Sequence, residues 1–221
     1  MQMKEINAVL FDLDGTMVDS NQLLIDTFKD TFDQYFPDIY FNHQDYIDMI
    51  GPSLAETFSI YQKDMDIVNQ MIEHFINFYK IKEIESIHLY PNLIETLKQL
   101  KKLNIQTGIV TTKRKKSALP SIKHFQLDQL IDIYVYLDDV KYPKPHAEPI
   151  LYAKSMLKKP KEIIFIGDNP SDILSGKNAG ILTCGVEWSY KKDALKDSYP
   201  DFWIKDYQEL LSIIHQYNKE V

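Results

Sequence analysis

The stretch Ile6-Asn7-Ala8-Val9-Leu10-Phe11-Asp12-Leu13-Asp14-Gly15-Thr16 decides the fold. Its first six residues are nearly all apolar and rich in strand formers. A continuous apolar run of this kind suits a strand covered on both faces, as in a parallel sheet. Charge then arrives abruptly. Two carboxylates, one residue apart, stand where the strand must end, and Gly15 lets the chain turn sharply. Open α/β sheets bind ligands outside the carboxyl ends of their strands. The turn is therefore a candidate site. The plain alternative is a polar turn, since Asp and Gly are ordinary turn residues. An EF-hand loop is excluded, because Gly15 directly follows the second Asp.

Comparable apolar runs recur at Ile105 to Thr111, Ile131 to Leu137, Ile163 to Gly167 and Ile181 to Val186, with Phe202-Trp203-Ile204 as a short sixth. Helical patterns separate them at 93–103, near 115–124, and at 148–157, 171–179 and 207–217, with Pro120 inside the second. Alternating strands and helices predict a doubly wound parallel α/β sheet. One region breaks the alternation. From about Asp19 to Glu85 the apolar spacing is helical, first in Leu23, Leu24, Thr27, Phe28, Thr31, Phe32 and Tyr35, then in Ile67, Val68, Met71, Ile72, Phe75, Ile76 and Tyr79. Ser53-Leu54-Ala55-Glu56 has the form of a capping box, a helix start. The expected organisation is an α/β core of residues 1–17 and 86–221, with an all-α helical domain of residues 18–85 inserted after the first strand. His88-Leu89-Tyr90-Pro91 is the expected return link, with Pro91 opening the next helix.

The composition narrows the class. Of 221 residues, 44% are hydrophobic and 26% charged, which is enough apolar material for a sizeable core. Acidic residues outnumber basic ones 32 to 25, for a formal charge of −7. A net acidic chain is by default a poor partner for nucleic acid, because phosphate backbones attract clustered Lys and Arg. No apolar stretch approaches the roughly 20 residues that span a bilayer, and the run Ile6 to Phe11 is too short for a secretory leader. The expectation is a soluble cytoplasmic protein that binds neither membrane nor nucleic acid. The single cysteine, Cys184, excludes a disulfide framework and reads as an inert buried thiol.

Three further strand ends carry chemistry: Thr111-Thr112-Lys113, Lys144-Pro145 after the next strand, and Gly167-Asp168-Asn169-Pro170-Ser171-Asp172. A hydroxyl and an ammonium suit a phosphate, and paired carboxylates suit a hard cation. Four independent turns assembling this set by chance is far less probable than one site.

The order DxDGT, Thr, Lys, GDxxxD resembles the haloacid dehalogenase superfamily over essentially the whole chain, and the helical insertion resembles its C1-type cap. Gly51-Pro52-Ser53-Leu54, Gly108 to Lys113, Gly176 to Gly180 and Gly185-Val186-Glu187-Trp188 resemble the PpaX-type pyrophosphatases within it, with phosphoglycolate phosphatases as near neighbours. His146-Ala147 departs from the usual Asp-Pro after Lys144-Pro145.

The resemblance implies a phosphohydrolase acting on a small phosphorylated substrate, inorganic pyrophosphate first. Asp12 would be the nucleophile that forms an aspartyl-phosphate, and Asp14 the general acid and then base. Mg²⁺ would be held by Asp12, the backbone carbonyl of Asp14 and Asp168, with Asp172 in the outer shell orienting water or Lys144. Thr111, Thr112 and Lys144 would hold the phosphoryl oxygens. An acid at Asp14 fits phosphate cleavage rather than dehalogenation, and Leu24 stands where the mutase relatives carry His. The competing class is a switch that accepts phosphate on Asp without turnover. Such receivers lack a helical cap and the second acid.

Weaker features have plain readings. Lys113-Arg114-Lys115-Lys116 could steer anions toward the site, but the favoured reading is a solvated surface run. Trp188 and Tyr190 read as packing residues, and His146 as solvent-exposed. Gly51 and Ser53 carry two readings of equal weight: a helix start, and a turn folded over the site whose backbone amides favour anions.

Overall fold

The computed structural model describes residues 5–219. Residues 1–4 and 220–221, which the expected α/β core includes, lie outside the described residues. Six parallel strands form one sheet in the order β5-β4-β1-β6-β7-β8. They are β1 (Ile6–Phe11), β4 (Gln106–Val110), β5 (Ile133–Val135), β6 (Glu162–Gly167), β7 (Leu182–Val186) and β8 (Phe202–Ile204). Each apolar run of the sequence is one of them. The reason is burial on both faces: Val9 and Phe11 pack with Ile164 and Ile166 on one side, Ala8 and Leu10 with Ile163 and Phe165 on the other. Helices α5 (Leu93–Lys102) and α10 (Tyr207–Lys219) cover the first face, and α7 (Glu148–Met156) the second. Helices α6 (Lys115–His124), α8 (Pro170–Asn178) and α9 (Lys192–Asp197) complete the alternation.

The chain leaves β1 toward β4 and β5, then returns to β6 on the other side of β1. The order reverses between β1 and β6, the place where open α/β sheets make a binding crevice. Asp12 and Asp168 are the first residues past these two strands.

The segment between β1 and β4 is helical, as expected: α1 (Asn21–Tyr35), α2 (His43–Met49), α3 (Leu54–Tyr61) and α4 (Met65–Ser86). Phe28, Phe32, Phe58 and Phe75 pack ring on ring at its centre, with Phe28 and Phe75 4.7 Å apart. Its entry and exit are tied together. Strand β2 (Val18–Asp19) pairs antiparallel with β3 (His88–Leu89), a two-stranded ribbon too short to leave a period in the sequence.

Two expectations need correction. Pro91 does not open α5: Asn92 takes a left-handed conformation and the helix begins at Leu93. The side-chain amide of Asn92 instead donates to Asp206 at 2.7 Å, joining this turn to the start of α10. The second is the list of helices, which omits α9, because its six residues carry too few apolar positions to show a period. Pro120 does lie within α6. Among the described residues no helix is long and apolar enough to cross a membrane.

Candidate active site

β1 delivers Asp12 into the crevice, held by its backbone N–H to the Ile166 carbonyl at 2.9 Å. The turn after it is tight for a specific reason. Gly15 sits at φ +75°, and a Cβ there would fall 2.3 Å from an Asp168 oxygen. No other residue could bring the DxDGT backbone so close to Asp168. The hydroxyl of Thr16 donates to Asp168 Oδ1 at 3.0 Å, and Trp188 Nε1 donates to the Gly15 carbonyl at 3.0 Å. Trp188 is a packing residue, as expected, set beside Tyr90 and Tyr207. Its indole also fastens the turn.

Asp12, Asp168 and Asp172 are all buried, and one oxygen of each lies within 4.8 Å of the others. Lys144 enters the group from the loop after β5. Its Nζ donates to Asp12 Oδ1 and Asp172 Oδ1, both at 2.6 Å, and to the Val110 carbonyl at 3.2 Å. One ammonium thus faces three carboxylates. Burial, with the neighbouring Asp172 and Asp14 charges, pushes Asp12 up to about 7 against the pull of Lys144. Asp168 is raised well above the carboxylate range by burial and by Asp172 and Asp12. Burial works against the charge on Lys144, but Asp12 and Asp172 outweigh it and hold the ammonium protonated. Asp172 also closes the capping box of α8, accepting from the Asn169 N–H at 3.0 Å. The group is short of positive charge, and its ligands are hard oxygens.

Asp14 has partners of its own. Its Oδ1 accepts from Ser20 Oγ at 2.6 Å and from Lys113 Nζ at 2.9 Å. Lys113 overturns the solvated reading of its charge run. It is half-buried beneath α4, where Nζ also reaches Tyr79 Oη at 3.1 Å and lies 3.9 Å from Glu83 Oε1. Burial opposes its charge, yet Asp14, Tyr79 and Glu83 together raise its pKa. Glu83 Oε1 is itself buried without a hydrogen-bond partner. The rest of the run does behave as surface, with Arg114, Lys115 and Lys116 exposed.

Thr111 is the first residue past β4, and its hydroxyl accepts from the Lys113 N–H at 3.1 Å. Thr112 turns to the helical segment instead, its hydroxyl donating to the Gly51 carbonyl at 3.1 Å. The turn at 50–51 is docked by two more side chains. Asn169 Nδ2 donates to the Ile50 carbonyl at 2.9 Å, and Lys191 Nζ to the Asp48 and Ile50 carbonyls at 2.9 and 2.6 Å. Gly51 at φ +115° is required, because a Cβ would meet Asn169 Nδ2 at 2.2 Å. Ser53 is engaged elsewhere. Its N–H and hydroxyl both donate to Glu56 Oε2, at 2.9 and 2.7 Å, and the Glu56 N–H returns to Ser53 Oγ at 3.3 Å. Gly51, Pro52 and Leu54 line the cavity over the carboxylates, and Ser53 does not.

Asp12, Asp14, Thr111, Thr112, Lys144, Asp168, Asp172 and Gly51 thus converge on one cavity of about 620 Å³. His146 is exposed on the loop beyond Lys144 and is not on that wall. Lys113, Tyr79 and Glu83 are the members that sequence reasoning missed. One signal was present: Glu83 follows Tyr79 on the apolar stripe of α4, where an acid is out of place.

Residues 9–186 match the family described as haloacid dehalogenase-like hydrolase. The pyrophosphatase PpaX of Bacillus cereus (strain Q1) is 39% identical over 217 residues, 97% of this chain and 99% of that one. Two solved structures share the fold. A haloacid dehalogenase-like family hydrolase of Streptococcus pneumoniae has a TM-score of 0.78 at 26% identity, over 94% of this chain and 98% of that one. A "predicted phosphoglycolate phosphatase" of Haemophilus somnus 129PT has a TM-score of 0.80 at 26% identity, over 96% and 99%.

Proposed function

Since the chain belongs to the haloacid dehalogenase-like hydrolase family and is a hydrolase, we propose that it is a Mg²⁺-dependent phosphatase that works through an aspartyl-phosphate on a small phosphate compound, inorganic pyrophosphate first. The observation that carries this reading is the placement of Asp12. It stands at the carboxyl end of a central strand, against Lys144, with a second acid two residues on. The pyrophosphate preference draws on the relatives named pyrophosphatase. A phosphoglycolate preference is the second reading, favoured by the likeness to the Haemophilus somnus protein. Residues 18–85 would form the cap, and residues 1–17 and 86–221 the catalytic core.

A divalent cation fits the residues present. Three buried carboxylates within 4.8 Å share one ammonium, and a hard cation offsets that imbalance. Asp12 and Asp168, with the backbone carbonyl of Asp14, would hold Mg²⁺, which lowers repulsion between anionic nucleophile and anionic substrate and polarises the phosphoryl group.

The chain's own residues supply the remaining steps. An Asp12 oxygen attacks phosphorus as the bond to the leaving oxygen breaks. Asp14 gives its proton to that oxygen, then takes one from the water that attacks the aspartyl-phosphate, and inorganic phosphate leaves. Lys144 stays charged throughout and neutralises the transferring oxygens with Thr111 and the amide of Thr112. Asp172 holds Lys144 in place.

Asp12→Asn tests the reading. It keeps the shape of the side chain but removes the anionic nucleophile, so turnover of pyrophosphate, phosphoglycolate and glucose phosphate with Mg²⁺ should all vanish while the thermal midpoint holds. Near-wild-type activity in that variant would reject the covalent mechanism. Among the three substrates, the highest kcat/KM decides between the pyrophosphate and phosphoglycolate readings.

A further inference from the structure

The cavity beside Asp12 is larger and more apolar than pyrophosphate can use. Beyond the carboxylates and Lys144, its wall includes Leu24 and Phe28 from α1, Leu54 from α3, Ile72 and Ile76 from α4, and Pro120 from α6. The α4 members fall at positions i and i+4, so one face of that helix is turned to the space. These side chains are not all consumed by packing. Leu54, Ile72 and Ile76 are only half-buried, and Ile76 stands outside both hydrophobic clusters of the fold. An isoleucine in that position gains burial when an apolar group settles on it.

A leaving phosphate gains nothing from those apolar side chains; the cations that also line the cavity, Lys80, Arg114 and Lys116, are what could meet it. The phosphate is strongly hydrated, and an apolar wall cannot replace its water. An alcohol with an apolar body can use the same wall, and sites for organic ligands typically pair such walls with a few placed polar groups. The cavity, at about 620 Å³, lies within the usual range for such ligands of roughly 300–1,000 Å³.

Resting on the reading of Asp12 as nucleophile, we infer that the site also hydrolyses phosphate monoesters of apolar alcohols, with the alcohol's body seated against Leu54, Ile72 and Ile76. The phosphorus–oxygen bond to the alcohol breaks as the bond to Asp12 forms, and the alkoxide oxygen takes the proton of Asp14. Water then cleaves the aspartyl-phosphate and returns a proton to Asp14. The products are the free alcohol and inorganic phosphate.

The test compares kcat/KM for benzyl phosphate and glycerol phosphate with Mg²⁺. Both leave as primary alkoxides, so their ratio reports the pocket rather than the chemistry. Benzyl phosphate should be favoured by about 10-fold or more, the scale on which a pocket reads apolar groups. Ile76→Asn should reduce that ratio roughly 5-fold, through KM for the benzyl ester. A wild-type ratio near one, or an Ile76→Asn ratio unchanged from wild type, would overturn the inference. The wild-type ratio stands even if the variant fails to fold. Asp12→Asn separates the two levels: retained turnover there removes the catalytic reading itself, whereas equal wild-type rates on the two esters remove only the apolar substrate class.

Discussion

Lys113 and Lys144 reach the same cavity from different loops, and the carboxylates they meet divide their work. Lys144 is shared by Asp12 and Asp172, while Lys113 is shared by Asp14, Tyr79 and Glu83. If Asp14 shuttles the proton, Ser20 and Lys113 fix its rotamer, and an oriented acid needs less ordering in the transition state. Lys113→Met removes that partner and leaves Glu83 buried without its cation, which destabilises the fold. The expected result is a loss in kcat of roughly 10–100-fold, as for other groups that orient a reacting residue, together with a lower thermal midpoint. Adding Glu83→Gln should restore the midpoint but not kcat. Unfolding curves and steady-state rates on the two variants check this; an unchanged kcat would leave Lys113 a structural bridge only. Sequence reasoning missed Lys113 because its partners are distant in the chain. Asp14 lies 99 residues away, and the three basic residues after Lys113 really are exposed. Burial of a lysine is decided by the helix that lands on it.

The turn before α3 carries two functions in residues two apart. Gly51 offers its carbonyl to Thr112 and leans on Asn169, whereas Ser53 closes a capping box with Glu56. Capping boxes are local, so S-x-x-E could be read directly from four consecutive residues. The contact between Gly51 and Thr112 could not, since it joins positions 61 apart. Ser53→Ala should cost about 1 kcal/mol of stability, the usual worth of an N-cap, and leave KM within about twofold of wild type because Ser53 does not line the cavity. Urea unfolding and KM for pyrophosphate measure the two effects. A several-fold rise in KM without loss of stability would return Ser53 to substrate binding. Longer elements were legible for a related reason. α4 repeats its apolar spacing over its 22 residues, while α9 and the β2–β3 ribbon are too short to repeat anything.

Across the whole molecule, the fold concentrates negative charge in one buried place. Asp12, Asp168 and Asp172 are brought there by β1, by β6 and by the first turn of α8. A cation that binds this arrangement and not the unfolded chain must stabilise the fold by mass action. Millimolar Mg²⁺ should raise the thermal midpoint of the wild type, and Asp168→Asn should shrink that rise; excess chelator should stop turnover, and Ca²⁺ should restore it poorly because it prefers more ligands in looser geometry. An unchanged midpoint, or full activity in chelator, would count against the metal. The parallel sheet, the helical insertion and the four chemical strand ends were all determined by the sequence itself. Burial on both faces writes a strand as a run of apolar residues, and the residues just past a parallel strand's carboxyl end arrive at the crevice. Tertiary structure alone decided that Lys113 is drawn in under α4 to Asp14, that Trp188 fastens the Gly15 turn, and that the cavity is wide and walled by Ile72 and Ile76. Those facts depend on how two distant surfaces meet, and no local period records the distance between them.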